Sequence, residues 1–157
     1  MILRNTLVSA LCFAAPMVLT PNAQAAYLGD PSGVHSTVSI SNNSGGNVAA
    51  FAIETASYRS AGTMVKFDGR CDSACTLFLS LPTSQTCVSH GAFFRFHSPT
   101  AGSARSERIA QNFMMRKYPG WVRSWIASHN GLSRELITMD YSFASQHMHS
   151  CGGIAAR

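Results

Sequence analysis

Acidic side chains are scarce in this sequence: seven Asp and Glu stand among 157 residues, against twelve Lys and Arg. Chemistry that needs a carboxylate therefore has few candidates, and only Glu107, Glu135 and Asp140 follow His97. No apolar run approaches the roughly 20 residues that cross a bilayer as a helix, so no membrane-spanning segment is indicated. The basic residues are scattered, with Arg116-Lys117 as the one adjacent pair, and no stripe suggests a nucleic-acid groove. A formal net charge of +5 reads as a solvated surface and points to no partner. Internal repeats and low-complexity segments are also missing.

What is present begins with a compartment signal. In MILRNTLVSALCFAAPMVLTPNAQA, Arg4 supplies a positive start, residues 6–19 are mostly apolar, and Ala23-Gln24-Ala25 closes with small residues. That is the layout of a cleaved secretory signal over residues 1–25. Residues 26–157 then form one domain, periplasmic or secreted, with no stable membrane anchor left after cleavage. Of the five cysteines, Cys12 leaves with the signal and Cys71, Cys75, Cys87 and Cys151 remain. An even number in an oxidising compartment favours disulfides, with three connectivities open. The expected arrangement has one bridge from Cys71 and another from Cys75, with Cys87 and Cys151 as their partners.

Patterning predicts an α/β order. TVSIS at 37–41 alternates as a strand. Asn47 is placed to cap a helix, VAAFAIETASYRSA, that stops at Gly62 and turns Val48, Phe51, Ala52 and Ala56 inward. TMVKF reads as a second strand and SACTLFLSL as an apolar helix closed by Pro82. CVSHGAFFRFH reads as a third strand with Ala92, Phe94 and Phe96 on one face and His97 at its end. From about Arg105 the chain reads as helical, with Ile109, Phe113, Met114, Trp121, Val122, Trp125 and Ile126 recurring at three and four. The stripe Phe113, Trp121 and Trp125 is read as core packing, and His147 and His149 as a solvated tail.

Three chemical features stand where strands hand over. Asn43-Ser44-Gly45-Gly46 follows the first strand, and two glycines let backbone N–H groups approach a ligand closely. Ser73 follows the second, where a serine serves either as a helix cap or as a nucleophile. His97 ends the third. Together they could supply a nucleophile, a base and oxyanion donors.

The order NNSGG, CDSAC opening an apolar helix, and AFFRFHSP resembles the Clp-protease/crotonase superfamily, and is similar to the small secreted ClpP-like proteins of bacteria. The likeness covers residues 36–100 and continues more loosely through 118–140. It implies a ClpP/crotonase-like ββα spiral core, shortened at its N-terminus, with a helical C-terminal part. It implies Ser73 as nucleophile and His97, 24 residues on, as general base. The oxyanion hole would be the N–H of Gly45 or Gly46 with that of Ala74, aided by the positive end of the helix at Ser73. The third triad member would be Asp140, which falls about three residues out of the family's register; a Ser–His dyad, or a triad completed by another group, is the alternative. The proline of the family's glycine turn is missing here.

The implied activity is serine hydrolysis of a peptide or other acyl substrate through an acyl-enzyme, with no cofactor and no metal. Two further readings stay open. One is a catalytically degenerate fold that serves as an envelope binding or structural protein. The other is metal binding by Cys71 and Cys75 with His147, His149 and Cys151.

Overall fold

A computed structural model describes residues 36–153; the stretch 1–25 expected to be a secretory signal and the lead-in 26–35 lie outside the described residues. The chain enters through strand β1 (Thr37–Asn43), helix α1 (Val48–Ala61) and the parallel strand β2 (Met64–Asp72). The boundaries of α1 follow its end residues. Asn47 accepts hydrogen bonds from the N–H groups of Ala49 and Ala50, and Gly62 closes the helix at φ +67°.

The inward face of α1 is rotated from the predicted one. Val48, Phe51, Ala52 and Tyr58 pack on the core and Thr55 is buried, whereas Ala56 is exposed. Thr55 is tolerated there because its hydroxyl donates to the carbonyl of Phe51 at 2.7 Å, satisfying it within the helix. Phe51 and Tyr58 hold Phe78 between them, with ring centroids 5.5 and 5.4 Å away.

β2 is the centre of the sheet and runs further than TMVKF, through Gly69 and Cys71 to Asp72. Its register with β1 shifts between Ile40 and Asn42. Gly69 sits at this bulge, and a Cβ there would come within 2.1 Å of the Ser41 carbonyl oxygen. The segment after β2 is a 3₁₀ helix, Ser73–Ser80, rather than an α-helix. It buries Leu77, Phe78 and Leu79 against the sheet.

CVSHGAFFRFH is two strands, not one. A turn closed by the Ala92 N–H on the Ser89 carbonyl separates β3 (Thr86–Val88) from β4 (Phe93–Phe96). Both lie parallel to β2, β3 against Val65–Phe67 and β4 against Arg70–Asp72. The C-terminal part also departs from the all-helical expectation. Helices α2 (Ala104–Lys117) and α3 (Gly120–Ser128) are followed by β5 (Ile137–Asp140), antiparallel to β4. A single turn, α4 (Tyr141–Ala144), leads to β6 (His149–Ser150), parallel to β3. The result is a mixed α/β sheet of six strands, ordered β5-β4-β2-β3-β6 with β1 on the other side of β2. β5 and β6 are four and two residues long, too short for alternation to reveal.

The tail histidines are not free of the fold. His147 stacks on Trp121 at 4.8 Å between centroids, and His149 lies in register with Cys87. Trp125 is buried beside Phe96, while Phe113 and Trp121 are half-buried.

The disulfides pair differently from expectation. Cys71 bonds Cys75, and Cys87 bonds Cys151. The chain reverses at Ser73 and brings the Cα atoms of Cys71 and Cys75 within 5.4 Å, inside the span a bridge needs. The pairing of β3 with β6 likewise brings Cys87 close to Cys151, the residue that follows β6. All four thiols are consumed, so they are not available as the thiolate ligands of the metal reading. Two disulfides fit an oxidising, extracytoplasmic setting. Among the described residues, no helix is long and apolar enough to cross a membrane.

Candidate active site

Ser73 occupies an unusual position. From Cys71 to Leu79 every residue except Ser73 is buried. Its φ is +53°, a left-handed conformation that disfavours side chains other than glycine's. Such a residue persists only where its surroundings over-determine it. Here they do so from four sides.

The first constraint is the Cys71–Cys75 bridge, which spans the reversal. The second is the glycine turn. Gly45, at φ +77°, lies so close that a Cβ on it would meet the Asp72 carbonyl oxygen at 2.5 Å and the Ala74 nitrogen at 2.9 Å. Only glycine fits there. The third is Thr76, whose hydroxyl donates to the Ser73 carbonyl at 2.6 Å and lies 2.6 Å from the buried Tyr118 hydroxyl. Burial pushes the Tyr118 hydroxyl well above the usual phenol pKa, against the opposing effect of its bond to Thr76. The fourth is the buried carboxylate of Asp72. Arg95 grips it with two donors, Nε at 2.8 Å and an Nη at 2.5 Å, with Arg70 Nε 3.7 Å from the same carboxylate.

The Asp72–Arg95 pair sits at matched positions of β2 and β4. It joins the residue before Ser73 to the residue two before His97. Both Ser73 and His97 line one cavity of about 300 Å³, with Gly46, Asn47, Pro99 and Thr100 among its walls. No direct hydrogen bond links the two side chains among the described residues.

The other predicted site residues are placed unequally. Gly45 donates its N–H to Asn43 Oδ1 at 2.8 Å, so that donor is already engaged. Gly46, at φ +154°, faces the cavity. Ala74 is buried directly behind Ser73. Asp140 does not join them. Phe93 pairs with Asp140 and Phe96 with Ile137, so Asp140 stands at the end of β5 away from His97. About four residues separate it from the His97 level, roughly 13 Å along a strand. Its carboxylate instead accepts from the Ser142 hydroxyl at 2.7 Å and the Phe143 N–H at 3.0 Å, capping α4. These bonds, the Ser142 one foremost, hold its pKa below the ordinary carboxylate value. The β5 residue beside Phe96 is Ile137, an apolar side chain.

Sequence reasoning reads Asn43 only as part of the glycine turn, not as the acceptor for Gly45, and assigns no role to Asp72, Thr76, Arg95 or Tyr118. Thr76 carried a faint signal, being three residues after Ser73, the spacing of a hydroxyl-to-carbonyl bond. Arg95 and Tyr118 carried none, since their partners are 23 and 42 residues away.

No family model matches the chain, and no curated protein matches it. Among solved structures it is similar to an N165D mutant of ClpP1 from Listeria monocytogenes. That likeness has 15% sequence identity and a TM-score of 0.44, and covers 73% of this chain and 71% of the other.

Proposed function

We propose that this chain is an exported serine hydrolase with a ClpP-like spiral core, working through a Ser73–His97 dyad. One observation carries the reading: Ser73 alone in a buried run reaches a cavity, in a strained left-handed conformation, and His97 lines the same cavity. Structural caps need no such strain.

In this mechanism Ser73 Oγ adds to a carbonyl carbon as its proton passes to His97. The developing oxyanion is stabilised by the N–H groups of Gly46 and Ala74, Gly45 acting as the spacer that brings the turn against the elbow. His97 then returns the proton to the leaving group. Water hydrolyses the acyl-enzyme by the same route in reverse. Without a carboxylate to orient it, His97 relies on its strand and on the Asp72–Arg95 pair for position.

The test is covalent labelling. A fluorophosphonate probe should modify the wild-type protein, and Ser73→Ala and His97→Ala should each abolish the signal. Absence of wild-type labelling at every pH from 6 to 9 would sink the reading. The second reading, a degenerate fold that binds a partner without turnover, is favoured by the placement of Asp140 opposite Phe93, four residues from His97. It predicts that unlabelled outcome.

A further inference from the structure

The cavity at Ser73 does not end there. Val48 and Ala49 of α1, and Ser106 and Ala110 of α2, line it and also line a second, apolar groove of about 530 Å³. This groove runs between the two helices, past Ile53, Ile109 and Phe113, to Arg116. Ile53 and Ile109 are 72% and 60% exposed, two large apolar side chains left at the surface on facing helices. The helical recurrence that includes Ile109 therefore does not carry it into the core. From Ser106 to Arg116 is ten residues of α2, about 15 Å at the helical rise.

The walls decide what fits. Both are α-helices whose backbone donors and acceptors are already paired within the helix. An extended peptide laid here would leave its own main-chain groups without partners, at a cost for every group taken from water. A hydrocarbon chain has no such groups. The groove is also too long for one amino-acid side chain, and it adjoins the serine cavity through four shared wall residues. We infer that it holds the acyl chain of an ester whose carbonyl lies at Ser73, so that this protein cleaves esters of apolar carboxylic acids. The inference rests on the serine-hydrolase reading and narrows its substrate. In the reaction the Ser73 Oγ–carbon bond forms and the carbon–alkoxy bond breaks. The alcohol leaves with the proton from His97, and water releases the carboxylic acid.

The experiment measures kcat/KM for p-nitrophenyl acetate, butyrate, hexanoate and octanoate, whose leaving group is constant. Wild type should gain about two-fold for each added methylene, less than full burial would give because the groove is open on one side. Ile53→Glu and Ile109→Glu should lower the octanoate-to-acetate ratio at least about ten-fold. Ser57→Glu, a charge on α1 outside the groove, should keep the wild-type ratio. A flat chain-length profile in a wild type that labels with a short fluorophosphonate would overturn the groove assignment while leaving the Ser73–His97 reading intact. So would a slope that survives in both isoleucine variants, or a faster turnover of apolar peptides than of any ester. A wild type that neither labels nor hydrolyses removes both proposals together.

Discussion

A serine at φ +53° stores energy that glycine would not. Ser73→Gly should therefore be more stable than Ser73→Ala by about 1 kcal/mol in denaturant titration, although both lack the hydroxyl. Equal stabilities would mean that the elbow relaxes once the hydroxyl is gone. Gly45→Ala carries the opposite strain, combining φ +77° with a Cβ 2.5 Å from a carbonyl oxygen. It should lose on the order of 1–3 kcal/mol and label far more slowly than wild type, measured by unfolding and by probe incorporation. Asp140 behaves as a cap rather than a catalyst. Asp140→Ala should cost about 1 kcal/mol at neutral pH, and Asp140→Asn little, since Asn caps well. Because the folded pKa of Asp140 is lowered, its charged form stabilises the fold above the unfolded carboxylate value. That part is lost as pH falls through the folded value, so the melting temperatures of wild type and Asp140→Asn should converge in acid.

Elements whose ends are written locally were legible. α1 could be bounded to the residue from Asn47 and Gly62, because a cap and a left-handed stop act within one turn. β3 and β4 read as one strand because the Ser89–Ala92 turn interrupts the run without a strong breaker pair. β5 and β6 are pinned by neighbours far along the chain, and nothing local announces them. The candidate site divides the same way. Ser73, His97 and the glycines sit at element ends and could be read in sequence, whereas the Arg95 grip on Asp72 and the Thr76–Tyr118 contact arise only in the fold. The two disulfides differ in the element they serve. Cys87–Cys151 closes a separation of 64 residues and Cys71–Cys75 one of four. Chain entropy alone assigns about 4 kcal/mol to the first and about 2 kcal/mol to the second. Replacing Cys87 and Cys151 by Ser should thus destabilise more, while replacing Cys71 and Cys75 by Ser should slow Ser73 labelling more. Ranking both pairs of variants by unfolding and by labelling checks the division of roles.

At the scale of the whole molecule, β2 has neighbours on both sides along nearly its entire length. β1 covers one edge, and β3 and then β4 share the other. The sheet is interrupted only at Asp68 and Gly69, which fall between the paired stretches at the bulge. Solvent deuterium should therefore enter this strand in three zones. Val65–Phe67 and Arg70–Asp72 should keep their amide protons until the molecule opens globally, with Asp68 and Gly69 exchanging far sooner between them. The slow zone at Arg70–Asp72 abuts the elbow, so the serine is anchored to the part of the chain that yields last.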